Sequence, residues 1–342
     1  MKDYQKMDKK QVLLAQSETR LDLFLAQNLE YSRNQIEHLI KKGFVCVNEK
    51  TIIKNGYKLK LNDIVSYELQ NEEEKKEENN TNNIHPVDFD IEILYEDDDI
   101  IVLNKPSNLT VHDAPSVNEP TLVDWLKSKN YSLSTISGEL RHGIVHRLDK
   151  GTSGVMVVAK NNFAHTNLSE QLVDKTMGRY YLALIDLPLK DNIIVEQPIG
   201  RNHKDRLKMG IVEDGRYAKS AFYKIENSVN NKYELITAKL FTGRTHQIRV
   251  HLNNLNRHIL GDVLYGFKGN LDTFSRVYLH AYILYLYHPT KNRYMCFMAK
   301  LPDDMQSFID KNFNTKDINE KITQDNIFSC FNTDNQRLFT QR

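Results

Sequence analysis

A chain of 342 residues with 40% hydrophobic and 27% charged side chains has room for one sizeable core and one or two small appendages. A formal net charge of +1 excludes recognition of a polyanion by overall basicity, so any nucleic-acid site must come from local clustering. Cys46, Cys296 and Cys330 form no CxxC pair, and the sequence has no long apolar run and no signal-like stretch behind MKDYQKMDKKQ. That excludes a finger on cysteine pairs, a disulfide scaffold and a membrane partner, and makes a soluble, cytoplasmic protein the expectation.

Taken in chain order, residues 1–17 read as an arm, and residues 18–70 as a small unit of two helices and strands. Arg20–Leu25 opens an amphipathic pattern. Ser32 is placed as an N-cap with Gln35 in capping-box position, Ile36, Leu39 and Ile40 share one helical face, and Gly43 ends that helix. Phe44–Asn48 and Asp63–Tyr67 read as strands, with Arg20, Arg33, Lys41, Lys42, Lys54, Lys58 and Lys60 on or beside these elements. The segment 71–86 begins NEEEKKEENNTNNI, has almost nothing to bury, and predicts a flexible linker.

From residue 87 to 311 the pattern changes. Ile91–Leu94 and Ile100–Val102 predict two strands joined by the acidic turn Tyr95–Asp99. Further strands are predicted at 155–159, 180–185, 221–225, 233–241 and 278–287, with helices near 122–127, 163–172 and 246–252. Many strands, few helices and no regular βαβ alternation indicate an α+β domain with a mixed, mostly antiparallel sheet. Neither a dinucleotide-binding nor a P-loop glycine pattern is present. Residues 312–342 read as a polar, loosely attached tail.

Three segments carry candidate chemistry. Gly143–Gly154, GIVHRLDKGTSG, places Asp149 between Arg147 and Lys150 where a strand end enters a tight turn. Opposite charges nearby keep a carboxylate ionised, which suits a nucleophile or a base, although a surface loop with an incidental ion pair has the same spacing. His142, His146 and Asp149 would need a helix to meet at a metal, and the glycines and β-branched residues oppose one, so no metal is expected. Phe241–Leu252, FTGRTHQIRVHL, sets Arg244, His246, Gln247, Arg249 and His251 on a turn and a short helix. These residue types suit phosphate and base-edge contacts, or equally a solvated basic face. Gly178–Leu184 carries Tyr180 and Tyr181, of a type that packs in sheets or stacks on bases, and the loop 200–209 carries Arg206 and Lys208.

Together these segments resemble the RluA/RluD family of pseudouridine synthases. GIVHRLDKGTSG is similar to the family signature around its catalytic aspartate. RYYLAL is similar to the strand with its active-site tyrosine, GRTHQIRVHL followed by Ile259–Asp262 and Tyr265–Gly266 to the later arginine signature, and NKPSNLTVH (104–112) to the opening of the catalytic domain. The resemblance covers roughly residues 90–305. Residues 18–68 are similar to the S4-type αL RNA-binding domain.

The resemblance implies a pseudouridine synthase fold and an isomerase that needs no cofactor. It assigns Asp149 as the essential residue, Arg249 as its positive partner, and Tyr181 rather than Tyr180 as the ring against the target base. Arg147 would stabilise the displaced nucleotide or hold the loop. RNA contacts are expected from Arg244, His246, Gln247, Arg206 and Lys208, and in the small unit from Arg20, Arg33, Lys41 and Lys42. The S4-type domain points to large-subunit ribosomal RNA or a pre-ribosomal particle as partner of a monomeric enzyme. The alternatives are transfer RNA as substrate and a catalytically silent assembly factor. A glycoside hydrolase is disfavoured because no second acid accompanies Asp149.

Overall fold

The computed structural model describes residues 10–68 except 30 and 32, and residues 89–331 except 114–116, 118, 139–140 and 271–273. The linker expected at 71–86 and the N-cap expected at Ser32 lie outside the described residues. The chain divides into two compact units, residues 1–87 with 134–143, and 88–133 with 144–342.

The first unit begins with β1 (Lys10–Leu14), β2 (Thr19–Arg20), α1 (Leu21–Asn28) and α2 (Arg33–Lys41). β3 (Val45–Val47), β4 (Lys50–Thr51), β5 (Lys58–Leu59) and β6 (Ile64–Glu68) follow. Its main sheet has the order β1-β6-β3-β4, and β2 pairs with β5. Leu21, Phe24 and Leu25 of α1 and Ile36 and Ile40 of α2 are buried against Val45, Val47, Val65 and Tyr67, the inward positions of β3 and β6. At the end of α2 Gly43 takes φ +79° and its N–H donates to the Ile40 carbonyl at 3.0 Å, the turn that ends a helix at a left-handed residue. Residues 10–14, read from the sequence as part of an arm, pair along β6 from Lys10 opposite Glu68 to Leu14 opposite Ile64.

The second unit opens with β7 (Glu92–Glu96), β8 (Ile100–Lys105), α3 (Leu122–Ser128), β9 (Ser153–Ala159) and α4 (Asn162–Asp174). β10 (Gly178–Asp186), β11 (Ile193–Glu196), β12 (Ile199–Arg201), β13 (Met209–Ile211), β14 (Lys219–Asn227) and β15 (Tyr233–Leu240) come next. α5 (Gln247–Asn254), β16 (Leu279–Tyr287), β17 (Tyr294–Met298), α6 (Asp303–Asn312), α7 (Thr315–Lys321) and α8 (Gln324–Cys330) complete it. Each strand and helix predicted for this region lies within or overlaps one of these. The strands form a nine-stranded sheet, β11-β14-β15-β10-β16-β9-β8-β7, with β17 also on β16; β12 and β13 make a separate ribbon. Within the large sheet β9–β16 is parallel and the other ladders are antiparallel, giving the mixed, mostly antiparallel α+β fold.

β10 is central and both its faces are covered. Tyr180 and Tyr181 occupy adjacent positions, interrupted by an irregularity in the register with β16. Tyr180 packs against Phe328 and Phe331, each 5.2 Å away between ring centroids. The expectation of a loose tail after residue 311 is therefore corrected for residues 312–331. Ile318, Ile322, Ile327 and Phe331 of α7, α8 and the turns after them are buried, because they close an aromatic face of the sheet that would otherwise meet water.

Candidate active site

Asp149 does not sit at the end of a strand, as the sequence suggested. The lead-in 144–148 makes a single bridge, Ile144 to Val158, and Asp149 opens a turn in which its carbonyl accepts from the Thr152 N–H at 3.0 Å. That turn feeds directly into β9. The second residue of β9 is fixed by chemistry: Gly154 takes φ +121°, and a Cβ there would stand 2.2 Å from the Ala281 carbonyl oxygen. Only glycine lets β9 approach β16 closely enough for their parallel contact at Ser153–His280 and Gly154–Ala281.

Two further anchors hold the turn. Ser153 Oγ lies 2.9 Å from His280 Nδ1 and accepts from Arg276 Nη1 at 3.3 Å. Arg276 is in turn forked onto Asp304, its Nε donating at 2.5 Å and its Nη2 at 2.7 Å. From the end of β8, the fully buried Lys105 donates to the carbonyls of Pro106 at 2.7 Å, Leu109 at 2.8 Å and Lys150 at 3.4 Å. Burial presses the Lys105 ammonium down to about 7, and the nearby charge of Asp149 opposes that shift.

The Asp149 side chain, about one-fifth exposed, meets α5 and the turn before it. Arg249 Nη1 donates to Asp149 Oδ2 at 3.3 Å. The other edge of the guanidinium is taken by Asp262, with Nε donating at 2.7 Å and Nη2 at 2.8 Å. Arg249 also lies over the Tyr265 ring, 4.8 Å from its centroid. Two acids and a ring therefore fix one arginine, with a single corner of its fork turned to Asp149.

His246 closes the same wall. Its backbone is left-handed, φ +56°, a conformation a non-glycine residue adopts when its surroundings impose it. The ring Nδ1 lies 2.7 Å from the Tyr265 hydroxyl, which accepts the Met209 N–H at 2.9 Å. Nε2 lies 3.9 Å from Asp149 Oδ2. Burial lowers the imidazole below its usual range and outweighs the opposing charge of Asp149, keeping His246 neutral. Tyr265 is pushed up to about 12, chiefly by burial, and remains a phenol.

Tyr181 is buried on the Asp149 side of β10. Burial raises its phenol above the ordinary range, Arg179 opposes that, and Asp149 is near enough to raise it further. Arg179 itself is held 2.7 Å from Nδ1 of the buried His146. Arg147 is exposed at the mouth, where its charge reaches His246. The arrangement offers a carboxylate with one guanidinium donor, a neutral imidazole, a neutral phenol ring and an exposed cation.

Gln247 does not fit its expected role in RNA contact. It is buried, its carbonyl oxygen accepts from Thr242 Oγ1 at 2.8 Å and the Arg244 N–H at 3.0 Å, and its amide donates to the Lys219 carbonyl and Ser220 Oγ. It braces the turn into α5 and presents no free edge. His246 moves from the RNA-contact group into the wall of the Asp149 pocket. Arg206 and Arg244 line a neighbouring cleft, and Lys208 pairs with Asp205 at 3.5 Å. In the other unit Arg20 is forked onto the buried Asp22, at 3.0 and 2.8 Å, while Lys41 and Lys42 are exposed, Lys41 lying 3.7 Å from Glu37. The Arg33 side chain lies outside the described residues.

The groups that sequence reasoning did not single out are Lys105, Arg179, Asp262, Tyr265 and Arg276. Lys105, Arg179, Asp262 and Tyr265 fall inside quoted motifs, but only the folded contacts assign their work. Asp97, Asp99 and His288 also converge at the β7–β8 turn. Their carboxylates accept from Lys291, Tyr95, Asn161 and Thr290 side chains and from backbone N–H groups, which defines a hydrogen-bonded clasp.

This fold and pocket define an RNA-modifying isomerase. Residues 99–254 match the model of the RNA pseudouridylate synthase family, and residues 19–65 that of the S4 domain. The chain is 47% identical to an RNA pseudouridine synthase of Helicobacter pylori over 91% of its length and 95% of the relative's. It is 39% identical to the Bacillus subtilis RNA pseudouridine synthase YlyB, over 86% and 94% of the two chains. It is 35% identical to the ribosomal large subunit pseudouridine synthase D of Zymomonas mobilis, over 85% and 92%. Among solved structures, human RNA pseudouridylate synthase domain containing 1 superposes with a TM-score of 0.51 at 25% identity, covering 61% of this chain and 83% of that one. The chain belongs to the RNA pseudouridine synthase family, with the RluA/RluD type of catalytic domain and an S4 domain before it. Among the described residues no helix is long and apolar enough to cross a membrane.

Proposed function

We propose that this enzyme isomerises specific uridines of large-subunit ribosomal RNA, with Asp149 as the catalytic group. The observation that carries the assignment is the asymmetric use of Arg249: Asp262 holds it from behind, and its remaining corner is aimed at Asp149.

The reaction breaks the bond between ribose C1′ and uracil N1, turns the detached base, joins C5 to C1′ and releases the C5 proton. Atoms and electrons balance within the nucleotide, so no external group is required. Asp149 starts the sequence by attacking the ribose or the base, or by removing a ribose proton. Tyr181, kept as a neutral phenol by burial, stacks on the base as it turns. Arg147 at the mouth stabilises the displaced nucleotide or holds the active-site loop. The substrate class is supported by the S4 domain, whose basic surface includes Lys41 and Lys42, and by the relative named for the large ribosomal subunit. We take residues 18–70 as the RNA-selecting domain and 87–311 as the catalytic core, completed by the helices that follow it.

Mapping of pseudouridine in total RNA, by carbodiimide adduct and primer extension, tests both parts in cells with and without the gene. Loss of signals at clustered large-subunit positions is expected. Loss confined to transfer RNA would overturn the substrate, and no loss anywhere would overturn the activity in favour of a silent binder. Purified Asp149→Asn is expected to lose all product while keeping RNA affinity within a few-fold; retained turnover would remove Asp149 from its role.

A further inference from the structure

Next to the Asp149 pocket lies a second cleft of about 610 Å³, between the β12–β13 ribbon and the turn Gly243–Thr245. Its floor is backbone. Ile199 and Arg216 exchange N–H to carbonyl hydrogen bonds, both 2.9 Å. A Cβ on Gly215 would come 2.8 Å from the Ile199 carbonyl carbon, so this close crossing leaves no room for a side chain. Arg201, Arg206, Arg216 and Arg244 line the cleft, together with Asn202, His203 and Asp214.

Two of these cations are positioned by carbonyl oxygens. Arg201 donates to the Arg206 carbonyl at 3.1 Å, and Arg244 Nε to the Tyr217 carbonyl at 2.9 Å. Among the described residues none of the four has a carboxylate within 4.0 Å, and Asp214, also at the cleft, lies 3.7 Å from His203. The positive field extends beyond the rim: the Lys175 ammonium is lowered first by burial and then by Arg244, with Arg179 adding to it. Four arginines around one cleft, two of them held by neutral carbonyls, present the charge and the planar donor groups that phosphate oxygens satisfy bidentately. Among the described residues no Phe, Tyr or Trp lines the cleft, and His203 is the one ring at its edge.

The cleft shares a wall with the catalytic pocket. Thr245 lines the cleft, and the next residue, His246, lies 3.9 Å from Asp149. Across the cleft, the Met209 N–H is bonded to the Tyr265 hydroxyl that also holds His246. An RNA strand that delivers a nucleotide to Asp149 therefore carries its neighbouring phosphates past these arginines. We propose that this cleft seats the phosphodiester groups adjoining the target uridine, through Arg201, Arg206, Arg216 and Arg244. The proposal rests on Asp149 as the catalytic centre.

The test uses the full chain and a large-subunit ribosomal RNA transcript as probe, with affinity measured across a potassium chloride series and initial rates measured beside it. Arg201→Ala and Arg216→Ala are each expected to weaken binding by roughly 3- to 10-fold. Each should flatten the slope of log affinity against log salt by about 0.7–0.9, the share of one phosphate contact. KM should rise by the same factor with kcat moving less than about two-fold, and Arg201→Lys should recover the slope, which separates lost charge from a misfolded ribbon. Slopes identical to that of the unaltered protein in both alanine variants would overturn the cleft proposal. Product formed by the unaltered protein in the same assay checks the assigned activity separately.

Discussion

Arg249 stands between two acids, and the pocket's logic can be tested by removing its partners one at a time. Arg249 and Asp262 are 8% and 1% exposed, and two hydrogen bonds of 2.7 and 2.8 Å join them. Breaking a buried pair from one side leaves a charge without its partner, at about 3–5 kcal/mol. The two sides are not equivalent. Asp262→Asn leaves Arg249 with Asp149 still 3.3 Å away, so its loss belongs near the lower figure. Arg249→Met leaves two carboxylates without their common cation and belongs near the upper one. In the double variant Asp149 alone is left without a partner, and the loss should fall short of the sum by at least about 2 kcal/mol. Urea unfolding of the four proteins, read at constant slope against denaturant, measures this coupling. Activity should behave differently: stability partly returns in the double variant, while turnover does not, because the donor to Asp149 is gone. Additive stability losses, or turnover rescued in the double variant, would refute the account of Arg249 as a cation held by Asp262 for Asp149.

Three other outcomes follow from packing and protonation. Gly154→Ala should destabilise the protein by more than about 3 kcal/mol in urea, since the new Cβ meets the Ala281 backbone at a left-handed φ; a protein of unchanged stability would contradict the enforced β9–β16 approach. His280 is fully buried and its imidazole is pressed down to about 4, chiefly by burial, so the unfolded chain binds a proton that the folded one refuses between about pH 6.5 and 4. The stability that His280 gives above pH 6.5 is therefore lost as pH falls towards 4, by about 3 kcal/mol, and His280→Asn should flatten that part of a stability–pH curve relative to the unaltered protein. Phe331→Ala removes a ring packed 4.6 Å from Tyr223 and 5.2 Å from Tyr180, between centroids, and should cost about 3–5 kcal/mol with kcat unchanged; a neutral effect in thermal melts would return the C-terminal helices to the status of a loose tail.

How far the sequence could be read depended on the range of the interactions involved. Alternating and apolar runs announced β8, β9, β10 and β14–β16 because burial on a sheet imposes a local period. Gly43 announced the end of α2 because one residue carries the whole constraint. The final helices were misread for the opposite reason. TKDINEK and QDNIFSC are short and largely polar, and their few apolar residues acquire meaning only against Tyr180, Tyr223 and Tyr285 on distant strands. β1 was missed similarly: five residues of KQVLL signal little until β6 offers an edge.

The candidate site shows the same division within single motifs. The motif around Asp149 is readable, but a carboxylate beside cations describes a surface loop equally well. What distinguishes this turn is support arriving from three remote places. Lys105 reaches the Lys150 carbonyl from β8, Arg276 and His280 converge on Ser153, and Gly154 is pressed against Ala281. Each of these is separated from Asp149 by tens of residues or lies on the far strand of a parallel pair, so no spacing rule relates them. Gln247 makes the complementary point. A polar residue in a basic motif reads as an RNA contact, yet four hydrogen bonds turn it inward, because a turn that holds His246 in a left-handed backbone needs an internal brace. Residue type alone leaves open whether a polar group faces the ligand or holds the group that does, and that is decided by where its hydrogen bonds already go.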